Sequence, residues 1–182
     1  MSKPLSEMTL DELWQLFPIE LVPHSEAWAG YYTDEESRLR SLLGDSIEQI
    51  DHIGSTAVPG LLAKPIVDIL LQVSDSCDIA NLKEKLLFDG WLLMAEDIAS
   101  DNLDLNKGYT PAGFAEKVYH LHVRRSGDHD ELRFCNYLKM HPEAAADYAA
   151  LKQQLLTKYK YNRDAYTEAK TDFIKACVAK AQ

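Results

Sequence analysis

Cysteine is scarce in this chain: Cys77, Cys135 and Cys177 are the three in 182 residues. They are odd in number, far apart and without a C-x-x-C pair, which excludes a disulfide framework or a cysteine zinc site and leaves reduced thiols as the expectation. Long apolar runs are missing as well. No stretch approaches the roughly 20 apolar residues of a bilayer-spanning helix, and Met1-Ser2-Lys3-Pro4-Leu5-Ser6-Glu7 lacks the basic start and apolar run of a secretory leader. No membrane partner is expected, and the expected location is cytoplasmic. Positive charge is also in deficit: 19 Lys and Arg against 29 Asp and Glu give a net charge of −10. That balance repels a polyanion unless the basic groups gather on one face, so nucleic acid is disfavoured as a partner. Internal repeats and low-complexity tracts are lacking too. A chain of this length with 46% hydrophobic residues can bury a core without staples, and one domain over residues 1–182 is expected.

What is present reads as alternating elements. Thr9-Leu10-Asp11-Glu12 has the form of a capping box opening a short helix, in which Leu10, Leu13, Trp14 and Phe17 recur at helical spacing and Pro18 is the stop. This segment is expected to clamp the body of the domain. A second helix is expected over Thr33 to Leu43, with Gly44 as its end. Ile47 to Ile53 and Ile66 to Val73 read as strands, the latter apolar on both faces and so central in a sheet. Asp78 to Phe88 reads as a helix, and Trp91 to Met94, Asp104 to Tyr109 and Lys117 to Arg124 as three more strands. From Asp128 the pattern turns to three helices, beginning near Asp128, Pro142 and Asn162. The fold class is therefore α+β, a mixed sheet with helices over residues 1–127 followed by a helical part over 128–182.

The segment with the most chemistry is the turn between the first two strands, His52-Ile53-Gly54-Ser55-Thr56-Ala57-Val58-Pro59-Gly60, and the strand that follows Lys64-Pro65. Backbone N–H groups at Gly54 and Ser55, with the Ser55 and Thr56 hydroxyls, suit phosphate oxygens. Asp68 sits among apolar strand neighbours, where a carboxylate needs a cation, a metal ion or several N–H donors. Bracing of the Gly54-Ser55 turn is its structural alternative. His120 and His122 lie on one face of a later strand, suited to a shared metal or phosphate, or to hydrogen bonding within the sheet. Arg124 continues that face as a candidate anion clamp. Lys64 could meet a phosphate or stand solvated, and His52 could cap the turn or reach the site. Lys152, Lys158, Lys160, Arg163 and Lys170 give the C-terminal helices a basic character, by default a solvated face. A Walker loop is excluded because Leu61 follows Gly60, and a G-x-S-x-G nucleophile is excluded because Ile53 and Ala57 occupy the glycine positions.

These residues carry a resemblance. His52-Ile53-Gly54-Ser55-Thr56-Ala57-Val58-Pro59-Gly60-Leu61 with Ala63-Lys64-Pro65-Ile66-Val67-Asp68-Ile69, supported by His120-Leu121-His122-Val123, Phe134 with Tyr137-Leu138, Tyr148 with Leu151-Lys152, and Tyr166-Thr167 with Lys170, resembles the GrpB family over nearly the whole chain. The resemblance implies a nucleotidyltransferase-like fold. It also implies binding of a nucleotide or another phosphorylated small molecule at the Gly54-Ser55/Asp68 cleft. In that scheme His52, Gly54, Ser55, Thr56, Lys64 and Arg124 are ligand contacts, and Asp68 and His122 are the catalytic candidates. Asp68, His120 and His122 are the candidate ligands of a divalent metal, Mg²⁺, Mn²⁺ or Zn²⁺. The superfamily's second acid falls on Leu70, its third falls in the His120 to His122 segment, and the family's Arg-Asp pair after Phe134 is Cys135-Asn136 here. One carboxylate holds two Mg²⁺ ions poorly, and histidines favour softer ions. The alternatives are thus metal-dependent nucleotidyl transfer, and a ligand-binding or protein-interaction module without transfer.

Overall fold

The computed structural model describes residues 3–181. Met1 and Ser2, which belong to the segment read above for a leader, lie outside the described residues. The described residues form one five-stranded sheet, β1 (Ile47–Ile53), β2 (Val67–Val73), β3 (Leu92–Asp97), β4 (Asn102–Thr110) and β5 (Gly113–Arg125), in the order β1-β2-β5-β4-β3. Only the β2–β5 pair is parallel. The sheet is mixed, as expected; β5 is its central strand, and β2, read as central, lies between β1 and β5 with Val67, Ile69, Leu70, Leu71 and Val73 all buried.

Strand alternation divides the core between the two faces. On one face Val67, Ile69 and Leu71 of β2, Leu103 and Leu105 of β4, and Leu121 and Val123 of β5 pack against helices α2 (Ala27–Leu43) and α3 (Ile79–Phe88). Each large side chain taken fully out of water there contributes about 1.5–3 kcal/mol. On the other face Ile53 and Leu70 meet Phe134, Leu138, Tyr148 and Cys177 from the C-terminal helices. Those helices cover the β1–β2 half of the face. The rest of it, towards β5 and β4, opens into a cleft.

Three boundaries differ from the sequence reading. Helix α2 begins at Ala27, six residues before Thr33, because the Ser25 hydroxyl accepts from the Ala27 N–H at 3.3 Å and Trp28 is drawn into the core. Strands β4 and β5 run on until they meet in a tight hairpin, where the Thr110 hydroxyl donates to Gly113 O at 2.8 Å. The C-terminal part has four helices, not three: α4 (Asp130–Met140), α5 (Pro142–Tyr159), α6 (Arg163–Glu168) and α7 (Thr171–Val178). The break at Ala169-Lys170 divides in two the helix read as beginning near Asn162.

The N-terminal capping box forms as expected. Thr9 Oγ1 accepts from the Glu12 N–H at 3.2 Å, and Glu12 Oε2 accepts from the Thr9 N–H at 2.7 Å, opening α1 (Leu10–Leu16). The clamp, however, is Phe17 alone, buried with its ring 4.8 Å from that of Tyr109 and 4.9 Å from that of Phe114. No residue within α1 itself is buried. Among the described residues no helix is long and apolar enough to cross a membrane.

Candidate functional site

The site begins where β1 ends. Ile53 is paired with Asp68 across β1 and β2, so the chain must turn away at Gly54 directly over the Asp68 carboxylate. Gly54 has φ +70, and a Cβ there would stand 2.3 Å from Asp68 Oδ2. Only glycine meets both demands. The following residues, Ser55–Ala57, form a single 3-10 turn. It is pinned by Thr56, whose buried hydroxyl donates to Ile66 O at 3.2 Å and accepts from His52 Nε2 at 3.0 Å. The His52 ring stacks on Tyr32 with centroids 5.0 Å apart, and burial pushes its pKa down to about 4, so it is neutral. His52 and Thr56, read as ligand contacts, are thus placed behind the turn. They shape it and do not line the cleft.

Register puts His120 beside Asp68, and His122 beside Leu70 on one side and Asp104 on the other. The Tyr109 hydroxyl is 2.8 Å from His120 Nε2, and His120 Nδ1 is 3.1 Å from Asp68 Oδ1. His122 Nε2 lies 3.9 Å from the same carboxylate oxygen, and His122 Nδ1 lies 2.8 Å from Asp104 Oδ1. Burial lowers the His120 pKa, so a neutral ring donating to Asp68 and accepting from Tyr109 fits both contacts. Burial opposes charge on His122 as well, but the hydrogen bonds and negative charges of Asp104 and Asp68 outweigh it and lift the ring to about 9. Burial raises the Asp68 carboxyl, yet the two imidazoles prevail and hold it far below the usual carboxylate range. Asp104 is likewise drawn down to about 2 by His122 and Arg124 despite its burial. Asp68, His120 and His122 are therefore brought together, with Asp68 braced by imidazoles and not by the turn's backbone.

Arg124 is placed elsewhere. Its guanidinium donates to Leu103 O at 3.1 Å, Val123 O at 2.9 Å and Asp104 Oδ1 at 2.8 Å, and it does not line the cleft. The cations that line the cleft are instead Lys64, read as a ligand contact, and Lys152, Arg163 and Lys170, read by default as a solvated face. Lys152 of α5 is buried, with Nζ 3.0 Å from Ser55 Oγ, close to Leu62 O, and 4.7 Å from the Tyr148 ring centroid. Lys64 and Lys170 flank the Tyr166 ring at 5.8 and 4.6 Å, and Arg163 lies 5.6 Å from the Tyr109 ring. All four cations line one cleft of about 1110 Å³ together with Gly54, Ser55, Asp68, His120 and His122. Burial, then repulsion from neighbouring cations, lowers Lys64 and Lys152 to about 7, and burial lowers Lys170 to about 8 against the attraction of Asp68. Asp130, Asp164 and Glu168 also line the cleft as exposed carboxylates, and half-buried Glu131 lines it with a carboxylate oxygen 3.5 Å from Arg124.

The donor set does not fit two divalent ions. Leu70, where a second acid would stand, is fully buried against Phe134 and its neighbours. The imidazole nitrogens facing Asp68 are already engaged with it, and among the described residues no group of three or more His, Cys, Asp or Glu is arranged to hold a metal ion.

The structure resembles the Cid1 poly(U) polymerase with a TM-score of 0.52 at 12% identity, over 82% of this chain and 47% of that one, a likeness of fold alone. A family model described as "GrpB protein" matches residues 18–180, and the chain belongs to the GrpB family. The solved GrpB from Enterococcus faecalis is 30% identical with a TM-score of 0.75, covering 89% of this chain and 96% of that one. UPF0157 protein YqkA of Bacillus subtilis is 30% identical over 176 residues, covering 93% of this chain. The chain spans 50% of the length of that relative.

Proposed function

We propose that the cleft binds a phosphorylated small molecule, a nucleotide being one such ligand, through Ser55, Lys64, Lys152, Arg163 and Lys170. The observation that supports this is the charge of the cleft interior. Three lysines and an arginine line it, Lys152 buried and Lys64, Arg163 and Lys170 half-buried, while of its five carboxylates Asp68 and Glu131 are half-buried and Asp130, Asp164 and Glu168 are exposed, in a protein whose net charge is −10. Holding like charges together away from water is costly unless an opposite charge joins them. A phosphate dianion is the ligand that relieves this arrangement, and lysines meet it as point charges. Tyr166 adds a second indication, because it lines the cleft and its buried hydroxyl has no hydrogen-bond partner among the described residues.

No step is routed through a metal ion, because the cations of the chain already supply the charge that Mg²⁺ supplies to a polyphosphate. The reading is binding of the ligand, with nucleotidyl transfer unsupported by the residue set. Thermal unfolding with inorganic phosphate, AMP and ATP, each with and without Mg²⁺, Mn²⁺ or Zn²⁺, tests it. Phosphate compounds raise Tm without a metal ion, by an amount equivalent to about 2.7 kcal/mol at 100 times Kd. Lys152→Met and Lys170→Met each reduce that rise. No rise with any phosphate compound, or a rise that both variants retain in full, refutes the reading.

A further inference from the structure

The cationic groups occupy only one end of the cleft. The same cavity continues between the N-terminal segment and the sheet edge, where it is lined by Leu10, Leu13 and Trp14 of α1 and by Leu92, Leu93 and Met94 of β3. These side chains are apolar, and they are not core. Leu10 is 61% exposed, Leu92 41%, Leu93 37% and Met94 61%. Strand β3 is at the edge of the sheet and every one of its residues is exposed. Contiguous apolar surface of this kind on an edge strand is a liability that proteins ordinarily blunt with charge. Here it is kept, and it faces the cavity that holds Ser55 and the lysines.

Resting on the phosphate reading above, we infer that the ligand is a phosphate monoester carrying a long aliphatic chain. Its phosphate sits at Ser55, Lys152 and Lys170, and its chain lies against Leu10, Leu13, Trp14, Leu92, Leu93 and Met94. Three observations converge on this occupant. The volume, about 1110 Å³, lies at the upper end of small-molecule sites and far exceeds what a phosphate group fills. The walls at that end are mainly apolar, with Ser6, the Trp14 indole N–H and Asn106 as their polar side-chain groups, so most of the surface there matches an aliphatic chain and not the polar edge of a nucleobase. The amphipathic helix α1 is held by its capping box and by Phe17, yet buries none of its own residues, so its apolar stripe is left for whatever enters the cleft.

Isothermal titration of the full chain with inorganic phosphate, AMP and n-alkyl phosphates of two to eight carbons tests the inference. Affinity rises with chain length by about fourfold per buried methylene, the equivalent of about 0.8 kcal/mol, and octyl phosphate binds more tightly than AMP. Leu10→Asn and Leu93→Asn, at exposed positions where folding is not at risk, flatten the dependence on chain length and leave the affinity for inorganic phosphate unchanged. Phosphate binding that is indifferent to chain length overturns the inference and spares the phosphate reading, as does AMP binding more tightly than octyl phosphate. Failure of every phosphate compound to bind overturns both. Light scattering gives a further check: a chain that pairs with a second copy through β3, and loses the pairing in Leu93→Asn, assigns the apolar edge to self-association and overturns the inference.

Discussion

Binding of inorganic phosphate takes up protons if the cleft works through its lysines. In the free protein Lys64 and Lys152 sit at about 7 and Lys170 at about 8, each lowered first by burial. At pH 8 Lys64 and Lys152 are therefore roughly one-tenth protonated and Lys170 about half. A dianion placed among them stabilises the charged forms and returns all three towards the ordinary lysine range. Inorganic phosphate is already mostly dianionic at that pH, so few protons leave the ligand. The expected uptake is on the order of one to two protons per phosphate, and linkage then requires affinity to fall about 10- to 100-fold between pH 7.5 and 8.5. His122, lifted to about 9, stays largely protonated across that interval. The assay is titration calorimetry at pH 8 in two buffers of different ionisation enthalpy, with Kd followed from pH 6.5 to 9. An apparent enthalpy that is the same in both buffers, together with a flat Kd, refutes the reasoning.

Without ligand, the same groups make stability depend on pH in a fixed direction. The folded-state values of the three lysines lie below 10.5, so the unfolded chain binds more protons between about 7 and 10.5 and stability rises with pH there. His122, raised from 6.5 to about 9, opposes this over its own interval, so urea midpoints climb most clearly above pH 9. Asp68→Asn removes the carboxylate between two imidazoles, lowers the His122 pKa read by NMR, and costs about 2 kcal/mol in urea unfolding. It also tightens phosphate binding severalfold, because a repelling charge leaves the cleft; lost binding would instead give Asp68 a metal-mediated role. Gly54→Ala, forced to φ +70 with its methyl 2.3 Å from Asp68 Oδ2, costs about 2 kcal/mol or more by urea unfolding. Leu70→Asp, which restores the superfamily's second acid, puts a charge at a fully buried position among Phe134, Leu138 and Tyr148. It is expected to cost about 4 kcal/mol or more and to confer no Mg²⁺-dependent rise in Tm.

Elements that announce themselves locally were legible in the sequence, and groups that meet only through tertiary contact were not. The capping box at Thr9 and Glu12, the apolar β2 strand and the Gly54 turn each depend on neighbours a few residues away, and each forms as read. Helix α2 was read too short: it begins at Ala27, whose N–H donates to the Ser25 hydroxyl, and Trp28 in its first turn is buried in the core. Asp104 was missed as a partner of His122, since an isolated aspartate on a strand carries no signal until register sets it opposite the imidazole. Lys152 was visible as a basic residue, but no periodicity told that its helix would turn it inward. Only the contact between Lys152 and Ser55, 97 residues apart, does that.

Those late-meeting residues change what the turn is for. In a metal-dependent site the protein supplies negative charge, the ions reverse it, and the phosphates follow. Here β2 supplies one carboxylate, and both imidazoles beside it are turned towards it, with His122 shared with Asp104 from the neighbouring strand. That carboxylate is spent within the sheet. The positive charge that an anionic ligand needs then comes from the far wall, from Lys152 on α5, Arg163 on α6 and Lys170 at the break before α7, with Lys64 from the loop that enters β2. The break at Ala169-Lys170 has a purpose in this arrangement, because it sets Lys170 against the Tyr166 ring that Lys64 also flanks. The glycine-serine turn thus faces cations carried by the C-terminal helices and by the loop that enters β2. The affinity of this cleft for phosphate should therefore depend on the docking of those helices, and not on the supply of a metal.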